Sequence, residues 1–264
     1  PIQLDIAACR AHDFAAAPAL AIFRDLEFRS LANMLVAFVG EETEITLETT
    51  SEPATETIIV RTPKQLADLV AALNQAKMIS FDLETTSLNE MVAKIVGVCL
   101  AVQPPVSYYI AVGHLAGAAQ TTSGQMALFA TEPILADNQL PIKTVLEAIR
   151  PALTNPAIPK VAHNAKYDAI IFERHGLPVT PITFDTMIAE WLTDPATKHK
   201  GLKDLARHRL GIEMTEIDSL IGKGKNQISF AEVPIEQAAP YGPAGADVRR
   251  RCGVFHLSDN VFFV

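Results

Sequence analysis

Two acids two residues apart, Asp82 and Glu84, end the apolar run MISFDLE at 78–84. In an extended strand residues i and i+2 share a face, so both carboxylates project together at the strand's C-terminal end. Held that close they repel unless a cation lies between them, and oxygen ligands favour Mg²⁺ or Mn²⁺. Such a pair also serves many proteins simply as solvated charge at a strand end, so the pair alone does not decide for metal. A third acid, Asp168, closes HNAKYD (163–168), where a short strand passes into a helix. The helix dipole favours a carboxylate in that first turn whatever its function. The chemical alternative is a third acid at the same sheet edge, with Asn164 and Lys166 beside it to orient a phosphate or another ligand. His163 has no partner histidine at helical spacing and reads as a hydrogen-bonded loop residue. Tyr241, ahead of GPAGADV (242–248), is either a half-buried ring or a group that orients a metal-bound water.

Basic residues cluster in two places. Lys198, Lys200, Lys203, Arg207 and Arg209 stand against one acid, Asp204, and Lys223 and Lys225 punctuate the loop GKGKNQ (222–227). Charge runs usually coat a solvated face, but these could form a strip for a phosphodiester backbone. The whole chain, 264 residues with 22 basic and 30 acidic side chains, carries a net charge of −8. That balance excludes holding nucleic acid by bulk charge, though not meeting phosphates through carboxylate-held metal ions. With 49% hydrophobic and 20% charged residues the chain is not disordered. Cys9, Cys99 and Cys252 are far apart, which argues for idle thiols in a reducing compartment rather than a zinc site or disulfides. No apolar run spans a bilayer and no secretory leader opens the chain, so a cytoplasmic protein away from membranes is expected.

The elements that must position these residues alternate along the chain. Residues 1–40 read as a helical arm, with an apolar stripe over Ala19–Ser30, and residues 41–57, which hold six glutamates and no Lys or Arg, as an acidic linker. A domain over 58–251 follows, with 252–264 as a tail. Ile58–Arg61 is a strand, and Thr62-Pro63-Lys64-Gln65 opens a helix with a capping box. Strands are predicted at Met78–Glu84, Lys94–Val102, Ser107–Val112 and Lys160–His163, with a hairpin turn at Pro104-Pro105. Helices are predicted at Ile142–Leu153, at Tyr167–His175 ending on Gly176, and around 185–193, 202–210 and from 234 onward. Residues 115–140 lack a period and read as loop. The fold class is α/β, a mixed sheet flanked by helices.

Six stretches in order, FDLETTSL (81–88), IVGVCLAV (95–102), YYIAV (108–112), HNAKYD (163–168), FDTMIAEWL (184–192) and GKGKNQISF (222–230), carry a family resemblance. Residues 58 to about 248 resemble the 3′–5′ exonuclease (proofreading) domain of bacterial DNA polymerase I, a family A polymerase, of the type with a tyrosine in its third motif. FRDLEFRSL (23–31) is similar to the segment that joins the 5′-nuclease domain to the exonuclease domain there. The resemblance implies a ribonuclease-H-like exonuclease fold and two-metal hydrolysis of the 3′-terminal phosphodiester of DNA, releasing nucleoside monophosphates. It implies two divalent ions (Mg²⁺ or Mn²⁺): Asp82 bridging both, Glu84 on the first, Asp168 holding the second through water. It further implies that Tyr241 and Glu84 orient the attacking water, that Leu88 wedges against the terminal bases and that Asn164 seats the 3′ end. Lys166, Lys198, Lys223 and Lys225 are the remaining candidate substrate contacts. The implied partners are a single-stranded or frayed DNA 3′ end and a polymerase domain of the same parent chain, from which this chain would be an excised piece in a bacterial cytoplasm, near the nucleoid.

The third motif departs from the family. Its pattern, Tyr-x-x-x-Asp, supplies a fourth acid one turn after the tyrosine, and four residues after Tyr241 stands Gly245. Asp247 is two residues further, about 200° round an undistorted helix and so on the opposite face. A first metal site short of one ligand is expected to be weakened and hydrolysis slowed, and Gly245→Asp to restore activity. Beyond Val248 the resemblance ends, and Arg249 to Arg251 read as a solvated end. The alternative function is an inactive exonuclease-fold scaffold, or a module that binds single-stranded DNA; an RNA nuclease of RNase D type is a third reading, disfavoured by the GKGKNQ loop and the arm.

Overall fold

The structure, a computed structural model, describes residues 16–25, 31, 35, 56–103, 105–116, 134–212 and 214–258. The chain divides into two units, Pro1–Thr50 and Ser51–Val264. In the first, helix α1 (Ala16–Asp25) covers the start of the expected stripe; residues 26–30 and 36–55, with most of the acidic linker, lie outside the described residues.

The second unit opens with β1 (Glu56–Val60), which begins two residues inside the expected linker. Helix α2 (Pro63–Asn74) follows with its capping box formed: Gln65 N donates to Thr62 Oγ1 at 3.2 Å, and Thr62 N donates to Gln65 Oε1 at 3.1 Å. Strands β2 (Ile79–Thr85), β3 (Ile95–Gln103) and β4 (Val106–Ala111) form an antiparallel meander. Beyond helix α3 (Ile142–Leu153), β5 (Lys160–Ala162) pairs in parallel with β2 and leads into helix α4 (Ala165–Arg174). Strand β6 (Ile182–Asp185) pairs in parallel with β5 and runs directly into helix α5 (Thr186–Thr193). The sheet order is β1-β4-β3-β2-β5-β6, with β1 parallel to β4. Strand β6 is absent from the sequence reading, because its last residue, Asp185, is also the N-cap of α5 and the local signal there is that of a helix start. The helix expected over 202–210 is a short turn, α6 (Leu202–Leu205), continued by one π-helical turn over Ala206–Leu210. Helix α7 (Asp218–Ile221) and the long α8 (Ile235–Ser258) complete the unit. Most of the stretch predicted as loop over 115–140 lies outside the described residues; its two ends meet in an isolated bridge, Leu115 to Leu135.

Alternation along β2 explains why its acids share a face. Ile79, Phe81 and Leu83 join a core with Leu66, Leu69 and Leu73 of α2, Ile149 of α3 and Phe172 of α4. The intervening Ser80, Asp82 and Glu84 therefore project to the opposite face. There Cys99, Ala101 and Tyr109 pack with Ala238, Ala239 and Ala246 of α8. Burying each large apolar side chain stabilises by about 1.5–3 kcal/mol, so these two layers can hold like charges together at the sheet edge.

Helix α8 runs through Pro240 and Pro243, residues that disfavour a helix interior. An interior proline costs about 3 kcal/mol and a hydrogen bond. The buried alanines on either side, and the small Gly242 and Gly245, let the helix lie close on the sheet and offset that cost. Among the described residues no helix is long and apolar enough to cross a membrane.

Candidate active site

In the β2–β3 register Asp82 lies opposite Cys99, and ligand atoms of Asp82, Glu84 and Cys99 all fall within 4.8 Å of one another. Asp168 reaches the same edge from the first turn of α4: it is buried, and its Oδ1 accepts from the Leu83 amide at 3.2 Å. A residue that sequence reasoning missed fixes this approach. Asp185 caps α5 by accepting from Met187 N at 2.9 Å, and it also accepts from Asn164 N at 3.0 Å and Ala165 N at 2.8 Å. One carboxylate thus pins the start of both helices, with Asn164 in the left-handed region at φ 56°. The signal was an aspartate directly before a helical run, which is an N-cap pattern.

The three acids are held under electrostatic stress. Burial first, and then the charge of Asp82, pushes the Glu84 and Asp168 carboxyls well above the usual carboxylate range. Burial raises Asp82 as well, although Arg249 and the Leu83 amide pull it back. Two ionised carboxylates about 5 Å apart repel by about 3 kcal/mol at an effective dielectric constant of about 20. Converging buried oxygens that prefer protons to mutual repulsion are a donor set suited to a hard divalent cation. Asp82, Glu84 and Asp168 fit that role. Cys99 does not: burial and the neighbouring acids hold its thiol well above the ordinary value, so it stays a neutral packing group.

The third-motif segment arrives on α8. Tyr241, Gly242, Gly245 and Arg249 line a cleft of about 460 Å³ with Asp82 and Glu84. Lys203 Nζ lies 5.5 Å from the Tyr241 ring centre, and burial and the two acids push the tyrosine hydroxyl up, keeping it protonated. Arg249 corrects the expectation of a solvated end: it is 8% exposed, and its Nη1 lies 2.8 Å from Asp82 Oδ2. Its neighbour Arg251 places Nε 2.8 Å from Oδ2 of Asp247, which is buried and absent from the cleft lining. A Cβ built on Gly245 would stand 3.1 Å from Arg249 Nη1, so an aspartate there would meet the guanidinium at once. Gly245→Asp alone is therefore expected to form an ion pair along the helix rather than a clean metal ligand. The spacing Tyr241, Gly245, Arg249 steps by four along one helix face, which is the signal that could have found the arginine.

Other candidates sit at the margins. Leu88 is 95% exposed at the lip of a second cleft lined by Tyr167, Gln227, Ile228 and Phe230. Lys166, Lys198 and Lys225 are exposed, and Lys223 Nζ lies 3.1 Å from Asp218 Oδ2. Much of the basic run is engaged within the protein: Lys203 pairs with Glu216 at 2.9 Å, Arg207 with Asp204 at 3.2 Å and Arg209 with buried Glu190 at 3.0 Å. His163 is a packing residue whose Nδ1 lies 2.8 Å from Thr186 Oγ1.

The chain is 35% identical to DNA polymerase I of Chloroflexus aurantiacus, over 93% of its own length and 27% of that protein. It is 28% identical to DNA polymerase I of Pseudomonas aeruginosa, over 88% and 24% respectively. It thus spans about a quarter of the length of these relatives. Its fold is that of Trypanosoma brucei RNase D in complex with RNA U12 (TM-score 0.52, 15% identity, 78% of this chain and 63% of that one). The POL domain of Pol1 from M. smegmatis, in complex with DNA primer-template and dNTP, matches similarly (TM-score 0.52, 16% identity, 76% and 27%). The 3′–5′ exonuclease family model of family A DNA polymerases matches residues 57–256, which carries the likeness past Val248, where the six stretches end it. With Asp82 and Glu84 at the end of its central strand, Asp168 beside them on α4, and a match over most of its length, the chain belongs to the 3′–5′ exonuclease domain family of DNA polymerase I.

Proposed function

We propose that this chain removes nucleotides from the 3′ end of DNA by metal-dependent hydrolysis, releasing nucleoside monophosphates, at a rate reduced by the glycine at 245. The observation that carries the reading is the convergence of Asp82, Glu84 and Asp168 at one sheet edge. Divalent metal held there would supply two kinds of chemistry, lowering the pKa of an attacking water and stabilising the leaving oxygen. The protein's own groups do the rest. Asp82, Glu84 and Asp168 would hold the metal. Tyr241, kept protonated, is a hydrogen-bond donor on the cleft wall. Leu88, apolar and projecting, suits an apolar wedge against the terminal bases. Asn164 and the exposed lysines 166, 198, 223 and 225 suit contact with the phosphate backbone. A DNA substrate and a polymerase domain in the same parent chain are readings supported by the relatives' name.

The second reading, a silenced domain kept for its shape, draws on Gly245 and Arg249, which together replace negative charge by positive. Both are tested on 5′-labelled single-stranded DNA with Mg²⁺ or Mn²⁺, using EDTA as control. A ladder of single-nucleotide steps in wild type, lost in a folded Asp82→Ala variant, is expected. No ladder at any protein concentration would support the silenced domain and end the nuclease reading.

A further inference from the structure

The cleft holds a cation that belongs to the chain itself. Arg249 is more than nine-tenths buried, and its Nη1 lies 2.8 Å from Asp82 Oδ2. The contact is an ion pair rather than an aligned hydrogen bond: neither Nη1 nor Nε finds an acceptor in hydrogen-bond geometry among the described residues. The path of Arg249 crosses the space beside Gly245, where a Cβ would stand 3.1 Å from Nη1 and 3.6 Å from Cζ. The missing side chain at 245 and the guanidinium at 249 are therefore one arrangement, since a larger residue at 245 would crowd the arginine. Three carboxylates and one guanidinium leave two formal negative charges, which a single divalent cation neutralises. A second divalent ion would meet a fixed positive charge against the acid that both ions need to share.

We propose that Arg249 stands in for one of the two divalent cations, so that this site binds one metal ion with a built-in guanidinium as its second positive charge. The inference rests on the metal-dependent reading above, but it concerns ion count and not turnover.

The test is Mn²⁺ binding to the whole chain, followed by loss of the free-ion electron paramagnetic resonance signal. Wild type, Arg249→Met and the double variant Arg249→Met with Gly245→Asp are titrated side by side, each checked for folding by circular dichroism. One Mn²⁺ per chain in wild type, rising to two in the double variant, is expected. Two ions, or none, in wild type at saturating Mn²⁺ would overturn the proposal even if neither variant folds. A folded double variant that still binds one ion would overturn it as well. Failure of the nuclease reading shows instead as a missing ladder with this stoichiometry unchanged.

Discussion

Gly242 of α8 lies so near Glu84 of β2 that a Cβ on it would stand 3.0 Å from Glu84 Oε1 and 2.5 Å from Cys99 Sγ. The helix bearing Tyr241 and Arg249 reaches the acids because this one position has no side chain. Site geometry and helix–sheet packing are thus the same contact, and neither can change alone.

Gly242→Ala should therefore damage both. A methyl group 2.5 Å from a sulfur on a buried strand cannot be absorbed by rotating an exposed side chain. Overpacking of this kind costs about 1–3 kcal/mol, or about 3–10 °C in melting temperature for a unit of this size. A calorimetric scan should show that drop, and a Mn²⁺ titration should show weaker binding. An unchanged melt with unchanged Mn²⁺ affinity would mean that α8 sits further from Glu84.

Thr62→Ala tests an element far from the cleft. It removes the hydroxyl that accepts from Gln65 N and should cost about 1 kcal/mol. The urea midpoint should fall while Mn²⁺ stoichiometry stays as in wild type. Loss of metal binding in this variant would show that α2 supports the site in a way its contacts do not suggest.

Much of this was legible in the sequence, and the exceptions share a cause. The capping box at 62–65 uses only neighbours in sequence, and the common face of Asp82 and Glu84 follows from the two-residue strand period. Long apolar runs gave β2, β3 and β4. Strand β6 stayed hidden because it runs straight into the N-cap Asp185 and the helix signal there dominates, and the π turn at 206–210 because a single wider turn leaves no mark on composition. Arg249 reads as solvated because the burial of a charge depends on a partner 167 positions away, Asp82; the four-residue spacing from Tyr241 through Gly245 gives its helix face but not that partner. The course of α8 through its prolines has the same origin, because the helix is held on the sheet by the packing of Ala238, Ala239 and Ala246.

Glu190→Ala should loosen the segment that follows α5. Arg209 donates twice to Glu190, from Nε at 3.1 Å and from Nη2 at 3.0 Å, and the carboxylate is 1% exposed. Breaking a fully buried pair costs about 3–5 kcal/mol. Arg209 keeps about a quarter of its exposure, so about 2–3 kcal/mol is expected here. Urea unfolding should show a lower midpoint at unchanged slope. A loss below about 0.5 kcal/mol would place this pair among ordinary surface bridges.

His163 gives the chain an acid-sensitive stability that can be isolated. Burial, and secondarily Arg249, lowers its pKa from 6.5 to about 3. The unfolded chain therefore takes up a proton that the folded chain refuses, so this contribution is complete above about pH 7 and is lost as pH falls from 6.5 towards 3. At pH 5 the loss is about 2 kcal/mol. Asp82, Glu84 and Asp168 work in the opposite sense, because their raised values make the folded state the better proton acceptor. They are common to wild type and His163→Gln, so the difference between the two proteins reports the histidine. With EDTA present, wild type should lose about 2 kcal/mol more than His163→Gln between pH 7 and pH 5. Equal losses in urea unfolding would mean that the folded ring accepts its proton freely, which its hydrogen bond to Thr186 inside a buried turn argues against.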